Sequence, residues 1–354
     1  MERRDEFALI SYLASRQPSG GPRGSAIERR IRTGIGDDAA IVSARDQFDW
    51  VVCCDMMVED IHFKRNTMKP FDIGYKALAS NVSDIAAMGG LPLFYLVSLG
   101  VSSGWSEQEL GEMYSGMAAL AEAFGMKLIG GDTSASPGGL TVSITAMGEV
   151  ESGRTLLRSQ AKPGDLVFLT GTVGDSAAGL GYLLEQDCFP SHVPEAVQPL
   201  VERHCRPYPQ VQAGRLLASL GIRAALNDIS DGLASEAWEI AEASSVRMVL
   251  DRQSIPLSVP ARVYAESKAQ DVLHWALYGG EDYQLIGCLS ADEKSEMDRI
   301  FREAGLPLYW IGFVEQLAAD NQAPQVEMRH SDGSRSALAK KGYNHFKESY
   351  GEEA

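Results

Sequence analysis

Strand-like and helix-like segments alternate along almost the whole 354-residue chain, and carboxylates recur where the strand-like segments end beside glycine. WVVCCD (50–55), LFYLVSLGV (93–101) and LTVSITAMGEV (140–150) read as strands. Between them, FDIGYKALASNVSDIAAMGG (71–90) sets Ile73, Leu78, Val82 and Ile85 on one stripe of an amphipathic helix, stopped by Gly89, Gly90 and Pro92. SEQELGEMYSGMAALAEAFG (106–125) opens with Ser106 and Glu109 in capping-box spacing and closes at Gly125. The alternation resumes with LVFLTG, the glycine-rich TVGDSAAGLGYLL, IRAALND, GLASEAWEIAEAS, VRMVLD, DVLHWAL, YQLIGCL, ADEKSEMDRIFREAG and LYWIGFV. A turn at Asp332–Gly333 predicts a final hairpin.

This pattern predicts a mixed α/β (α+β) fold in two domains. The polar stretch ESGRTLLRSQAKPGD (151–165) is the expected junction. The expected division is a lead-in at 1–30, partly helical in its N-terminal part and mobile at its end, then a domain at 31–150, an α/β domain at 151–346 and a tail at 347–354.

The formal net charge is −16. Such a balance argues against binding to nucleic acid or anionic membranes, which needs a basic surface. It also makes a phosphate ligand hard to hold without metal cations. Five cysteines, an odd number with no C-x-x-C pair, point to reduced thiols. MERRDEFALISYLASRQ is too charged for a secretory signal, and no apolar run approaches the roughly 20 residues of a membrane span. A soluble cytoplasmic protein is expected.

The carboxylates fall at Asp37 and Asp38 in GIGDDAAIV, Asp55 at a strand end, Asp84 beside Ser80 and Asn81 on a helix, and Asp132 in LIGGDTS. Asp228 and Asp231 follow in NDISDG, then Glu281 and Asp282 in YGGEDYQL. Each motif alone also reads as a turn or cap. If they converge, they require neutralisation, and hard divalent cations with oxygen ligands supply it. NDISDGLASEAW fails as an EF-hand loop, with Ile229 and Trp238 at ligand positions, and six scattered histidines speak against zinc.

GIGDDAAIV fits the letters of G-x-G-x-x-A, but its two aspartates would repel a pyrophosphate, and a β-like run follows it instead of a helix. No G-x-x-x-x-G-K-[ST] loop occurs. TGTVGDSAAGL is either an anion nest or an ordinary strand–helix turn. Residue chemistry alone leads to a magnesium-dependent, phosphate-handling, two-domain enzyme.

GIGDDAAIV, CCDMMVEDIHF, GYKALASNVSDIAAMGG, LIGGDTS, RSQAKPGD, TGTVGDSAAGL, NDISDGL, GGEDYQL and KGYNHF, in that order, resemble the motifs of the thiamine-monophosphate kinase family. The resemblance runs from about residue 6 to residue 346. It implies the two-domain fold of the aminoimidazole ribonucleotide synthetase superfamily, with a β-rich N-terminal half for dimerisation and ATP. It implies transfer of the ATP γ-phosphoryl group to thiamine monophosphate, with several Mg²⁺ ions, in a homodimer whose N-terminal halves pair near the ATP site.

The resemblance further implies metal ligation by Asp38, Asp55, Asp84, Asp132, Asp228 and Asp231, and by positions 53 and 54. There, Cys53 and Cys54 replace the family's usual hydroxyl residues. Thiols are poor magnesium ligands, so backbone carbonyls are the alternative. Nucleotide contacts are implied for Tyr114, Gly131, Asp132, Arg158 and Ser230, and substrate contacts for His62, Glu281 and Tyr343.

A phosphate monoester with a second pKa near 6 is largely a dianion at neutral pH, so no catalytic general base is expected and transfer should be direct. Two other readings stay open. One is another ATP-dependent enzyme of the superfamily, against which VEDIHF and KGYNHF weigh. The other is a protein whose acids bind cations only to staple two domains.

Overall fold

Val51, Cys53 and Met57 alternate with more open positions and turn one face of strand β3 (Phe48–Val58) inward. The computed structural model describes residues 31–33, 37, 39–43, 47–317 and 323–343. In it β3 lies within a six-stranded sheet with β1 (Ile31–Thr33), β2 (Ala40–Ser43), β4 (Leu91–Val101), β5 (Lys127–Ala135) and β6 (Thr141–Glu151). The spatial order is β1-β2-β3-β6-β4-β5. Only β4 and β5 run parallel; the other pairs are antiparallel. β3 is longer than the expected 50–55 because all eleven of its residues pair with β6.

Two helices cover this sheet. Helix α1 (Pro70–Ala87) begins with proline in its first turn, where no amide donor is needed. Helix α2 (Glu107–Phe124) carries the expected capping box of Ser106 and Glu109 and ends on Gly125 at φ 69°. The two cross almost backbone to backbone: a Cβ on Gly74 would lie 1.9 Å from the Met113 carbonyl oxygen, and one on Gly116 1.9 Å from that of Phe71.

The second sheet contains β7 (Asp165–Leu169), β8 (Ala224–Asp228), β9 (Arg247–Asp251), β10 (Leu285–Ser290), β11 (Tyr309–Glu315), β12 (Gln325–Arg329) and β13 (Arg335–Ala337). Its order is β13-β12-β9-β11-β7-β10-β8, and only β9 and β12 run parallel. The expected hairpin is β12 to β13, with Gly333 at φ 82° in the turn. Around this sheet lie α3 (Asp175–Leu184), α4 (Gln198–Cys205), α5 (Val211–Leu220), α6 (Leu233–Ser244), α7 (Val259–Ser267), α8 (Val272–Tyr278) and α9 (Lys294–Glu303). Sequence periodicity did not reveal α4, α5 or α7, which are eight to ten residues long.

The mixed α/β architecture is the one expected. One apolar cluster joins Val51, Ile85 and Met88 to Phe168, Leu226, Leu289 and Phe301, so the two sheets share part of their core. Helix α1 packs on β3 and β6 and also against β8 and α5, which gives it neighbours on both sides. The lead-in at 1–30, the tail at 347–354 and Asp38 lie outside the described residues. Among the described residues no helix is long and apolar enough to cross a membrane.

Candidate active site

Helix α1 draws carboxylates of both sheets together. The Asp55 backbone N–H donates to Asn81 Oδ1 at 3.0 Å. Two residues further along α1, the Ser83 hydroxyl donates to Asp228 Oδ2, at the end of β8, at 2.5 Å. Asp84 comes next on the helix.

Burial pushes the Asp55 carboxyl up, partly offset by the Ser80 hydroxyl. Burial likewise pushes Asp228 up to about 6, against the pull of Ser83 and Arg158 and with Asp55 and Glu239 adding to it. The phenol of Tyr283, 7% exposed, stands amid these charges. Burial first, then Glu281, Asp55, Asp228 and Asp84, hold it well above the ordinary tyrosine range. It is therefore a neutral O–H among anions.

Two loops of the second half meet here. Glu281 N–H donates to the Ser230 carbonyl at 2.6 Å and Tyr283 N–H to that of Ile229 at 2.9 Å. Glu281 (φ 57°) and Tyr283 (φ 48°) both adopt left-handed backbone, a strained state that surrounding contacts must hold. Glu236, in the first turn of α6, braces the other loop. Its carboxylate accepts from Asn227 Nδ2 at 2.6 Å, from Asp231 N–H at 3.0 Å and from the Ser230 hydroxyl at 3.3 Å.

Arg158 Nε donates to Asn227 Oδ1 at 3.0 Å, and its guanidinium lies 2.9 Å from Glu239 and 3.8 Å from Asp37. A Cβ on Gly342 would fall 2.9 Å from the Asp231 carbonyl oxygen, so the segment before Tyr343 rests on this loop. The Tyr343 ring centroid is 6.5 Å from that of His62. His62 Nδ1 accepts from the Val58 N–H at 2.9 Å.

Tyr114, Gly131 and Asp132 form a second group, lining a cavity of about 470 Å³ with Val97, Leu128 and Gly130. Strand register runs from Asp132 to Ser98, from Ser98 to Ser143 and from Ser143 to Met56. Asp132 is thus three strand spacings, roughly 14 Å, from the neighbourhood of Asp55. Within one chain it stands apart from Asp55, Asp84 and Asp228. Among the described residues no group of three or more His, Cys, Asp or Glu side chains is gathered closely enough to hold a metal by itself.

Three sequence expectations are refined. The glycine turn before α3 is no open anion nest: the N–H groups of Gly174 and Ser176 donate to Asp282, at 2.6 and 3.1 Å. The Cys53 thiol is buried and donates to the Asn81 carbonyl at 3.2 Å, while burial, Asp84 and Asp55 push its pKa well up. Cys54 is exposed on the opposite face, 3.6 Å from the Ser143 hydroxyl. Strand alternation therefore prevents the two sulfurs from sharing one metal and leaves backbone carbonyls as the available donors.

The remaining donors suit Mg²⁺: carboxylate oxygens, partly or fully buried, with Asp55 raising the pKa of Asp228, and with phosphate and water able to complete the coordination. Lys76, Ser83, Asn227, Glu236 and Tyr283 were not singled out from sequence. Glu236 has a recognisable signal, a carboxylate in the first turn of a helix that follows an acidic loop. A lone tyrosine or serine carries none.

Residues 36–150 match AIR synthase related protein, N-terminal domain, and residues 162–318 match its C-terminal domain. An AIR synthase related protein is therefore the class that fold and site define. Thiamine-monophosphate kinase of Bacillus subtilis (strain 168) is 45% identical over 344 residues, covering 97% of this chain and 100% of that protein. The structure of AaThiL complexed with AMPPCP and TMP aligns with a TM-score of 0.79 at 30% identity, over 96% of this chain and 97% of that one. Thiamine-monophosphate kinase from Stenotrophomonas maltophilia K279a aligns with a TM-score of 0.73 at 34% identity, over 93% and 96%. The chain belongs to the thiamine-monophosphate kinase family, a family of enzymes of the kinase type.

Proposed function

We propose that this enzyme transfers the γ-phosphoryl group of ATP directly to thiamine monophosphate, releasing thiamine diphosphate and ADP, in the cytoplasm. The observation that carries this reading is the junction on α1, where Asn81 and Ser83 bind Asp55 and Asp228 from two different sheets. AaThiL, similar over nearly its whole length, was solved with AMPPCP and TMP.

Asp38, Asp55, Asp84, Asp132, Asp228 and Asp231 are the proposed holders of several Mg²⁺ ions, aided by the backbone at 53 and 54. Bound Mg²⁺ neutralises phosphate oxygens and lets two anionic substrates approach. Tyr114, Gly131, Asp132, Arg158 and Ser230 meet the nucleotide in this proposal, and His62, Glu281 and Tyr343 meet the acceptor. Their task is to orient the acceptor phosphate in line with the γ-phosphorus. The acceptor is already anionic, so no side chain needs to remove a proton.

The proposed division of labour is ATP and metal binding with dimerisation at 31–150, and an α/β domain at 151–346. Dimerisation is supported by β5, an edge strand exposed at every position. Incubation with ATP, Mg²⁺ and thiamine monophosphate, followed by chromatography, should yield thiamine diphosphate from the wild type and far less from Asp84→Asn. Absence of product from folded wild-type protein refutes the assignment.

A further inference from the structure

Lys76 lies on α1 and is 0% exposed, although nothing in the reaction scheme above uses it. Its Nζ is 2.6 Å from Glu281 Oε2 and 3.5 Å from His204 Nδ1. His204 Nδ1 is in turn 3.1 Å from the Ser176 hydroxyl and 3.5 Å from Glu281 Oε2. Burial and the adjacent ammonium hold the imidazole well below the ordinary histidine range, so it is a neutral neighbour and not a second cation. Lys76 and Glu281 are therefore the ion pair of this cluster.

The pair joins the two halves of the chain, since Lys76 comes from the helix under the first sheet and Glu281 from a loop of the second half. A sealed ammonium cannot touch a substrate. It can hold one that does: the Glu281 side chain is 28% exposed, so its carboxylate spans from the buried lysine to the open site. The Glu281 backbone sits in left-handed conformation and is tied to Ser230, leaving the side chain little freedom. Lys76 also shares a helical stripe with Ser80, Ser83 and Asp84, at spacings of four, seven and eight residues. One rigid face thus fixes both the acid cluster and Glu281.

We infer that Lys76 is a positioning residue, whose buried ammonium fixes the Glu281 carboxylate in a single orientation as the acceptor for the cationic ring system of thiamine monophosphate. This rests on the assignment of Glu281 as a substrate contact. Taking Glu281 Oε2 for the lysine leaves Oε1 for the ligand, so the pair contributes to acceptor binding and not to the nucleotide.

Steady-state kinetics of Lys76→Met, Glu281→Gln and the double variant test it. Lys76→Met should raise KM for thiamine monophosphate about tenfold or more while KM for ATP stays within about twofold. Lys76→Gln, which keeps a hydrogen-bond donor, should fall between, and it gives the same split if the methionine variant does not fold. The double variant should bind acceptor no worse than Glu281→Gln alone, because both changes remove one interaction. The inference fails if Lys76→Met leaves the acceptor KM unchanged, raises both KM values together, or multiplies the Glu281→Gln effect in the double variant. An unchanged acceptor KM in Glu281→Gln overturns the contact itself as well. A raised KM there with a normal Lys76→Met overturns only the role of Lys76.

Discussion

Asp228 illustrates how a single buried acid couples folding to pH. Its folded pKa of about 6 lies above the ordinary aspartate value of about 3.9. In metal-free protein the unfolded chain therefore loses its proton first as pH rises. Stability falls between about pH 4 and 6 and stays lower above that range, by an amount on the order of 2–3 kcal/mol. Asp228→Asn should thus raise the metal-free Tm at pH 8 and leave it nearly unchanged at pH 4; under the proposed metal role, Mg²⁺ should raise the Tm of the wild type and raise that of the variant less. A lower Tm at both pH values would contradict this account. Asp55, Asp84 and Asp228 were legible in the sequence because strand ends and a polar helix stripe mark them. Lys76 and Tyr283 were not, because their partners come from distant segments: Glu281 for the lysine, and Asp55, Asp84 and Asp228 for the tyrosine.

At the scale of elements, the crossing of α1 and α2 depends on two glycines. Gly116→Ala forces a methyl group onto the Phe71 carbonyl and should lower stability by about 1–3 kcal/mol, seen as a lower urea midpoint. Gly111→Ala, on the same helix with no atom within 4 Å of the added carbon, should instead raise stability by roughly 0.5–1 kcal/mol. Equal effects from the two would mean that helix propensity, and not the close crossing, dominates. The second of these helices was predictable because its apolar stripe and its caps agree, and the first because its stripe runs up to the glycines at 89 and 90. The turn before α3 was ambiguous for a different reason: Asp282, which occupies it, lies 106 residues from Ser176. Local sequence displays a cradle of amides but not the internal carboxylate that fills it.

At the scale of the whole molecule, β5 exposes Leu128 and Ile129 at 43% and 53%, on a sheet edge that a second copy would cover in the proposed dimer. Ile129→Lys should shift the protein from dimer toward monomer in light scattering. An unchanged mass would place the interface elsewhere. The two-domain fold was readable from the alternation of strand-like and helix-like segments in both halves, but the shared core was not, because apolar residues do not disclose which neighbour they meet.

That shared core changes what the junction means. Helix α1 has 14 of its 18 residues buried and is hydrogen-bonded at Ser83 to the end of β8. Neither sheet can come apart without uncovering it. The chain should then melt in one transition despite its two sheets, and the slowest hydrogen exchange should be found in the amides of α1. A sequence that reads as two domains would behave, in solution, as one cooperative unit.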